Sequence, residues 1–165
     1  MLRLADAKFL AGCSGMVLDY AAREPFWRRN LNYNHGTGHG VGYLGNIHEA
    51  PIGFRWKATR DAMCEIEPGM VITNEPGIYI EGSHGIRIEN ELLVRAGEKN
   101  EYGQFLYFEP LTFVPIDLDA LRPELMTEEE KQLLNAYHQS VYEKISPYLE
   151  AEEKEWLKEY TRPVK

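Results

Sequence analysis

The sequence is poor in three features that would point to particular classes of protein: cysteine, positive charge and long apolar runs. Its two cysteines, Cys13 and Cys64, form neither a CxxC metal motif nor a disulfide framework. We therefore predict free thiols in a reducing compartment and a cytoplasmic protein. No run of about 18 apolar residues occurs, so the sequence predicts no segment across a bilayer and no membrane partner.

Positive charge is low relative to negative charge. The chain has 18 Lys and Arg residues against 26 Asp and Glu residues, which gives a net charge of -8. Nucleic-acid affinity depends largely on Lys and Arg displacing counterions from phosphates, so this balance argues against DNA or RNA as a partner. The rest of the composition is ordinary, because 165 residues that are 44% hydrophobic suffice for one domain with a sizeable core.

The first part of the chain is predicted to be a helix followed by a glycine-rich loop. Apolar residues between Met16 and Ala22 recur near one helical face, and Pro25 is expected to begin a further short helical turn. From His35 to Gly45 glycine is so frequent that a helix is excluded, since each glycine costs a helix about 1 kcal/mol relative to alanine. This stretch must be a loop or a glycine-bearing strand.

Residues 67 to 116 are predicted to be mainly sheet. A turn at Pro68 and Gly69 precedes MVITNEPGIYI, whose β-branched and aromatic residues are typical of a strand, and Pro76 and Gly77 interrupt it. IRIENELLV alternates well enough to be the second arm of an antiparallel pair. FLYFEPLTFVPI is predicted to be a third strand.

The tail changes to helical periodicity after Asp117. Thr127 and Glu130 form a capping-box pattern, and the apolar residues after them recur at helical spacing as far as Ile145. Pro147 should end that helix, because proline cannot continue the hydrogen-bond pattern. Residues 148 to 160 are predicted to form a shorter, acidic helix.

Three histidines and two glutamates are candidates for chemistry. His35, His39 and His48 surround the glycine-rich loop, Glu75 lies in NEPGIY, and Glu89 lies in GIRIEN. Imidazole and carboxylate ligands from separate strands suit Mn, Zn, Co or Fe in a hydrolase. The HExxH zinc motif is excluded, because no glutamate follows His35. The histidines could equally be solvated, and both glutamates could lie on the wet face of a sheet.

Glu89 has a charged neighbour in the sequence pattern. Alternation along a strand would put Arg87 on the same face as Glu89. A carboxylate beside an arginine stays ionised, as a metal ligand must. The same spacing is equally typical of a plain surface ion pair.

Four motifs occur in a fixed order: HGTGHGVG, NIHEAP, EPGMVITNEPGIYI and GIRIENELLV. Together they resemble the pita-bread metallopeptidases, and most closely aminopeptidase P, which releases the first residue of peptides with proline in second position. The similarity continues through FEPLTFVPIDL and the last two helices. It implies an α+β fold, in which residues 1–116 are the C-terminal half of a pita-bread (creatinase/aminopeptidase) catalytic domain with a mainly antiparallel curved sheet. Residues 117–165 would be the C-terminal helical extension of aminopeptidase P.

Carried over position by position, the resemblance implies metal ligands at His39, Glu75 and Glu89. Glu89 would bridge two ions, and Glu75 would also accept the proton of the attacking water. The implied cofactor is a pair of divalent ions, Mn²⁺ in the first place, with Zn²⁺ or Co²⁺ as alternatives.

The resemblance also implies a substrate pocket for the proline side of the peptide. His35 and His48 would line it, bind substrate and act in catalysis by stabilising the tetrahedral intermediate. Tyr79 and Arg87 would bind substrate and shape the same pocket. The implied partners are peptides with proline in second position.

The sequence departs from the family where two further aspartate ligands are expected, upstream of the glycine-rich loop. Asp6 and Asp19 precede His35, but neither has the expected strand, glycine and Thr-Arg context. We therefore expect an interior segment behind a start codon, which holds metal partially or not at all and is inactive alone. An exposed sheet edge in such a segment would favour a homodimer, strand swapping or loss of order near that edge, and we expect the homodimer.

Three alternatives remain open. A prolidase would share the metal ligands but cut dipeptides, and the C-terminal extension favours aminopeptidase P over it. A catalytically inactive pita-bread protein that binds peptides or proteins would be expected to lack His39, Glu75 and Glu89. The same holds for a metal-free hydrolase on this fold.

Overall fold

The computed structural model describes residues 1–165, which form two compact units. The first unit contains Met1 and Arg3–Leu111, and the second contains Leu2 and Thr112–Lys165. The secondary-structure elements up to residue 111 are, in chain order, α1 (Leu2–Ala5), β1 (Lys8–Leu10), α2 (Gly15–Trp27), β2 (Gly38–Gly40), β3 (Glu49–Phe54), α3 (Arg60–Met63), β4 (Val71–Asn74), β5 (Gly77–Ile80), β6 (His84–Arg87), β7 (Asn90–Asn100) and β8 (Gly103–Pro110).

An antiparallel sheet of six strands organises the first unit. Its order is β1-β8-β7-β4-β2-β3, and β5 and β6 form a separate hairpin. Alternate residues of β7 and β8 are apolar and buried, as the two-residue period of a strand requires. They pack in one core with residues of α2 and the other strands; its fully buried members include Leu4, Phe54, Ile72, Leu92, Val94 and Leu106.

Glycine allows the short strand β2 to lie between β3 and β4. A Cβ atom on Gly38 would lie 1.8 Å from the carbonyl oxygen of Thr73, and one on Gly40 would lie 2.3 Å from the carbonyl oxygen of Glu49. A residue with a side chain would push the neighbouring strands apart. The glycine-rich stretch is therefore in part a glycine-bearing strand, and it holds His39 between its neighbours.

The helix predicted around Met16 to Ala22 is confirmed as α2, but the expectation for Pro25 is wrong. Pro25 lies inside the last turn of α2, which continues to Trp27. The fixed φ angle of proline is compatible with a helix, so the cost here is one missing backbone hydrogen bond near the helix end.

The strands differ from the prediction in three ways. MVITNEPGIYI is interrupted after Asn74 as expected, whereas IRIENELLV contains two strands, because β6 pairs with β5 and β7 pairs with β4. The strand predicted over FLYFEPLTFVPI ends at Pro110. β1 and β3 were not predicted; β3 contains Pro51 and Gly53, which weaken a strand pattern and are tolerated at the edge of a sheet.

The second unit contains α4 (Glu128–Ile145) and α5 (Ala151–Tyr160), with short 3-10 turns at Leu118–Ala120, Pro123–Leu125 and Ser146–Tyr148. The predicted capping box is confirmed, since the Thr127 side chain accepts from the Glu130 backbone and the Glu130 side chain accepts from the Thr127 backbone. The helix ends before Pro147, as expected. Across the whole chain, every helix is too short or too polar to cross a membrane.

Candidate active site

A cavity of about 340 Å³ in the first unit brings together most of the residues singled out from the sequence. Its walls include His35, His39, His48, Glu75, Tyr79 and Arg87. Glu89 is not part of these walls, whereas Arg55, which was not predicted, is.

Backbone contacts around β2 place the two central side chains. His39 lies in the middle of β2, and its backbone N–H donates to Thr73 Oγ1 at 3.0 Å. Glu75 follows the last residue of β4, and its backbone N–H donates to the carbonyl oxygen of Thr37 at 2.7 Å. Two neighbouring strands therefore present an imidazole and a carboxylate to the same cavity.

His39 and Glu75 are in direct contact, with 3.2 Å between Nε2 and Oε1. His39 Nδ1 lies 2.9 Å from the carbonyl oxygen of Gly40, which can only accept, so Nδ1 carries a proton. In a neutral imidazole Nε2 then has a lone pair that faces the carboxylate. Two lone pairs at this distance repel each other, so the contact calls for a proton or a metal cation.

The surroundings of this pair match what metal ligands require. Thr73 Oγ1 donates to Glu75 Oε1 at 3.0 Å, and the Gly40 carbonyl orients the His39 ring. Outer hydrogen bonds of this kind fix the orientation of ligating histidines and carboxylates. His39 and Glu75 thus fit a divalent cation both in donor type and in support.

Two ligands are fewer than a metal centre needs. Glu89 Oε2 lies 3.6 Å from Arg87 Nε, and the Glu89 side chain is 40% exposed. Nowhere in residues 1–165 are three or more His, Cys, Asp or Glu side chains arranged to hold a metal ion. The chain presents the His39–Glu75 pair, and ligation by Glu89 stays a prediction.

The other two histidines leave ring nitrogens free for a substrate. His35 Nδ1 donates to the carbonyl oxygen of Gly36 at 2.6 Å, while its Nε2 is buried without a partner. A buried polar atom without a partner costs about 1–3 kcal/mol, which a bound ligand can recover. His48 is exposed, and the centre of its ring lies 4.1 Å from the centre of the His39 ring.

Arg87 connects Tyr79 with Glu89. Its Nη1 donates to the Tyr79 hydroxyl at 3.4 Å, and that hydrogen bond raises the pKa of the Arg87 guanidinium. The ion pair with Glu89 that alternation suggested is present. Both partners are substantially exposed, so the pair is geometrically a surface ion pair at the cavity rim.

A buried polar network behind the cavity was missed at the level of sequence. Arg23 Nε donates to Asp19 Oδ2 at 2.6 Å, and both side chains are completely buried. Arg23 Nη2 also donates to the carbonyl oxygen of His35 at 2.7 Å, and Thr37 Oγ1 donates to Asp19 Oδ1. The network therefore fixes both ends of the segment from His35 to Thr37. The Thr37 carbonyl in turn accepts the hydrogen bond from the Glu75 backbone. The signal was an opposite charge pair at i,i+4 within an apolar helix.

Tyr33 closes this network. Its hydroxyl donates to Thr37 Oγ1, and the Arg23 guanidinium carbon lies 3.9 Å from the centre of its ring. Burial is the main cause that raises the pKa of Tyr33 to about 12. Tyr33 therefore stays a neutral hydrogen-bond donor at physiological pH.

Known proteins resemble the chain over its whole length. A probable Xaa-Pro aminopeptidase P of Talaromyces marneffei is 44% identical over 172 residues, which cover 100% of this chain and 26% of the fungal protein. Among solved structures, X-prolyl aminopeptidase from Caenorhabditis elegans, described as a cytosolic enzyme with a di-nuclear active site, matches with a TM-score of 0.88 and 37% identity. The match covers 99% of this chain and 27% of the worm enzyme.

A more distant match is an Xaa-Pro dipeptidase from Bacillus anthracis, with a TM-score of 0.53 and 34% identity over 71% of this chain and 29% of the dipeptidase. The chain therefore spans about a quarter of the length of the relatives it matches. Its antiparallel sheet with helices is the pita-bread fold of X-prolyl aminopeptidase.

Family descriptions match almost the whole sequence. Residues 1–96 match "Metallopeptidase family M24", and residues 104–164 match "C-terminal region of peptidase_M24". The first match contains every residue that lines the cavity, including the His39–Glu75 pair. With more than half of its length and its candidate site inside that description, the chain belongs to metallopeptidase family M24.

Proposed function

We propose that this chain supplies the His39–Glu75 side of the active site of a metal-dependent Xaa-Pro aminopeptidase. Such an enzyme releases the N-terminal residue from peptides that have proline in second position. The observation that carries the proposal is the 3.2 Å contact between His39 Nε2 and Glu75 Oε1 inside a cavity of an M24 chain. The names of its fungal and worm relatives support the same substrate class.

The proposed metal ligands are His39, Glu75 and Glu89, and membership of a metallopeptidase family implies a divalent metal. We propose two ions, with Mn²⁺ as the first to test and Zn²⁺ or Co²⁺ as alternatives. When bound, divalent ions polarise the scissile carbonyl and lower the pKa of a water molecule.

The chain's own residues would then move the proton and hold the substrate. Glu75, oriented by Thr73, would accept the proton of the attacking water. His35 and His48 would bind the substrate around the reacting carbonyl and stabilise its developing negative charge. Tyr79 and Arg87, joined by their hydrogen bond, would form the wall against the proline ring.

The test uses the full-length gene product with added Mn²⁺ and two peptides, Ala-Pro-Ala and the control Ala-Ala-Ala. We expect release of the first alanine from the proline peptide alone, measured by chromatography of the products. Failure to hydrolyse any Xaa-Pro-Xaa peptide would overturn the proposal.

Prolidase is the second candidate, because the similarity to an Xaa-Pro dipeptidase covers 71% of the chain. Ala-Pro and Ala-Pro-Ala separate the two activities in one assay. Hydrolysis of the dipeptide without the tripeptide would assign the chain to a prolidase.

Three further expectations from the sequence stay proposals. We propose a cytosolic enzyme, in line with the description of the worm relative, and a homodimer, which light scattering after size-exclusion chromatography tests. We also propose residues 1–116 as the C-terminal half of the catalytic domain and residues 117–165 as its extension. Limited proteolysis should cut near residue 116 if that boundary is right.

A further inference from the structure

Arg55 is a wall residue of the cavity that none of the proposed steps uses. It directly follows β3, and its side chain lies against the backbone of Gly36, beside His35. A Cβ atom on Gly36 would lie 3.0 Å from Arg55 Cζ and 3.1 Å from its Cγ, so both stem and guanidinium contact this glycine. Arg55 is exposed, and its contact with Gly36 places the guanidinium at the open side of the cavity wall.

The guanidinium of Arg55 has no partner within the chain. Arg87, the other arginine of the cavity, contacts both Glu89 and Tyr79. Arg55 makes no hydrogen bond or ion pair with any of residues 1–165, although the chain has a net charge of -8 and many carboxylates. A positive group that is held at a cavity wall and left unpaired is available for an anionic ligand.

We propose that Arg55 binds a carboxylate of the peptide substrate and thereby favours acidic or short peptides. The planar guanidinium offers two parallel N–H donors that match the two oxygens of a carboxylate. Two groups of a peptide carry this chemistry: the C-terminal carboxylate of a short peptide and an acidic side chain beyond the proline. The inference rests on the proposed function, because it specifies which Xaa-Pro peptides the same site prefers.

The experiment measures kcat and KM of the full-length gene product with Mn²⁺ on four peptides. Ala-Pro-Ala with a free C-terminus is compared with its C-terminal amide, and Ala-Pro-Glu-amide is compared with Ala-Pro-Gln-amide. Arg55→Gln removes the charge, Arg55→Lys keeps it, and Arg60→Gln removes a charge from an exposed arginine nearby that does not line the cavity.

We expect Arg55→Gln to raise KM about three- to tenfold for the carboxylate peptides, with kcat little changed, as for one exposed charge-assisted hydrogen bond. The neutral peptides should be unaffected, Arg55→Lys should restore part of the preference, and Arg60→Gln should behave like the unmodified enzyme. The pair of peptides that responds identifies the carboxylate as C-terminal or side-chain.

Two results would count against the subsite in different ways. Equal KM values of Arg55→Gln and the unmodified enzyme on all four peptides would overturn the subsite and leave the proposed function in place. Absence of hydrolysis of every peptide by the unmodified enzyme would overturn both.

Discussion

The contact between His39 and Glu75 determines what each residue can do. Because His39 Nδ1 donates to Gly40 and Thr73 donates to Glu75, both side chains are fixed before any ligand binds. His39 Nε2 and Glu75 Oε1 face each other at 3.2 Å. Such pre-orientation is typical of residues that act on a metal or a proton.

Glu75→Gln tests this pair in the full-length gene product. The amide keeps the size of the side chain but cannot take up a proton, so kcat on Ala-Pro-Ala should fall about 10²- to 10⁴-fold. The exposed Glu67 offers the control substitution Glu67→Gln, which should retain full activity. A loss below tenfold in Glu75→Gln would remove Glu75 from the proposed proton transfer.

Arg23→Leu tests the buried network behind the cavity. The substitution leaves the Asp19 carboxylate buried without its partner, which should lower the free energy of unfolding by about 3–5 kcal/mol. Arg28 also lies next to α2 and pairs with Glu24, but its side chain is 75% exposed, so Arg28→Leu should cost less than about 1 kcal/mol. Urea denaturation followed by circular dichroism measures both.

If Arg23→Leu and Arg28→Leu were equally stable, the network would be dispensable for the fold. The double variant with Asp19→Leu adds a second comparison. Removing both side chains leaves no unpaired charge in the core, although the Thr37 hydroxyl and the His35 carbonyl lose their partners, so the double variant should be more stable than Arg23→Leu alone.

Sequence identified the candidate site residues by motif, and the cavity brings together all of them except Glu89. It could not identify Arg55 or Arg23, for two physical reasons. Arg55 reaches the cavity because the glycine at position 36 leaves room for its stem, a contact between distant segments. Arg23 and Asp19 have the i,i+4 spacing of an ordinary surface ion pair, and the bond from Arg23 to the His35 backbone carbonyl has no signature in a pattern of side chains.

At the level of elements, the long helices were predicted well, the four-residue helix α3 was not predicted, and strands were predicted less well. The helices α2 and α4 have apolar stripes of helical period and, for α4, a capping box. β3 was missed because its stability comes from pairing with β2 and not from its own residues, which include Pro51 and Gly53. IRIENELLV has one continuous alternation, yet the chain changes partner after Arg87, which only the tertiary fold decides.

Gly38→Ala tests how closely β2 must approach β4. The new Cβ atom would lie 1.8 Å from the Thr73 carbonyl oxygen, a backbone atom that cannot move without disturbing the sheet. We expect the free energy of unfolding to fall by about 3 kcal/mol or more, which is the upper end of what an oversized side chain costs in a packed core. Activity of the full-length gene product should fall too, because Thr73 orients both His39 and Glu75.

Gly45→Ala is the matched control in the same glycine-rich stretch. Gly45 has a φ angle of 74° and open space around its Cβ position, so alanine there meets conformational strain but no clash. Its cost should be about 1 kcal/mol. Equal destabilisation by the two substitutions would show that backbone freedom, not close approach, is what Gly38 provides.

At the scale of the whole molecule, the resemblance predicted the fold because its four motifs cover most strands of the six-stranded sheet and the β5-β6 hairpin beside it. Spacing within those motifs is local, whereas the number of metal ligands that meet in space is a property of the folded chain. His39 and Glu75 come together across neighbouring strands, and Glu89, after β6, pairs with Arg87 instead. Motif spacing therefore could not predict which of the three proposed ligands lie side by side in the folded chain.

The stability of the whole molecule should depend on pH through His138, in the second unit. His138 is completely buried, its Nε2 accepts from the Ile116 backbone N–H at 3.0 Å, and its Nδ1 has no partner. Burial lowers the pKa of His138 below its usual value of 6.5. Protonation would remove the acceptor for Ile116 and place a charge in the core, so the fold favours the neutral ring.

The sign follows from this lowered pKa. Well above pH 6.5 the ring is neutral in the folded and the unfolded chain, and its contribution to stability is complete. As pH falls through 6.5 the unfolded chain takes up the proton first, and stability falls by at most about 1.4 kcal/mol per pH unit until the folded pKa is reached.

Urea denaturation of the unmodified chain and of His138→Gln between pH 7.5 and 5 measures this difference. His84→Gln, at an exposed histidine of β6, is the control and should keep the full pH dependence. An unchanged pH dependence in His138→Gln would show that other groups cause the acid sensitivity.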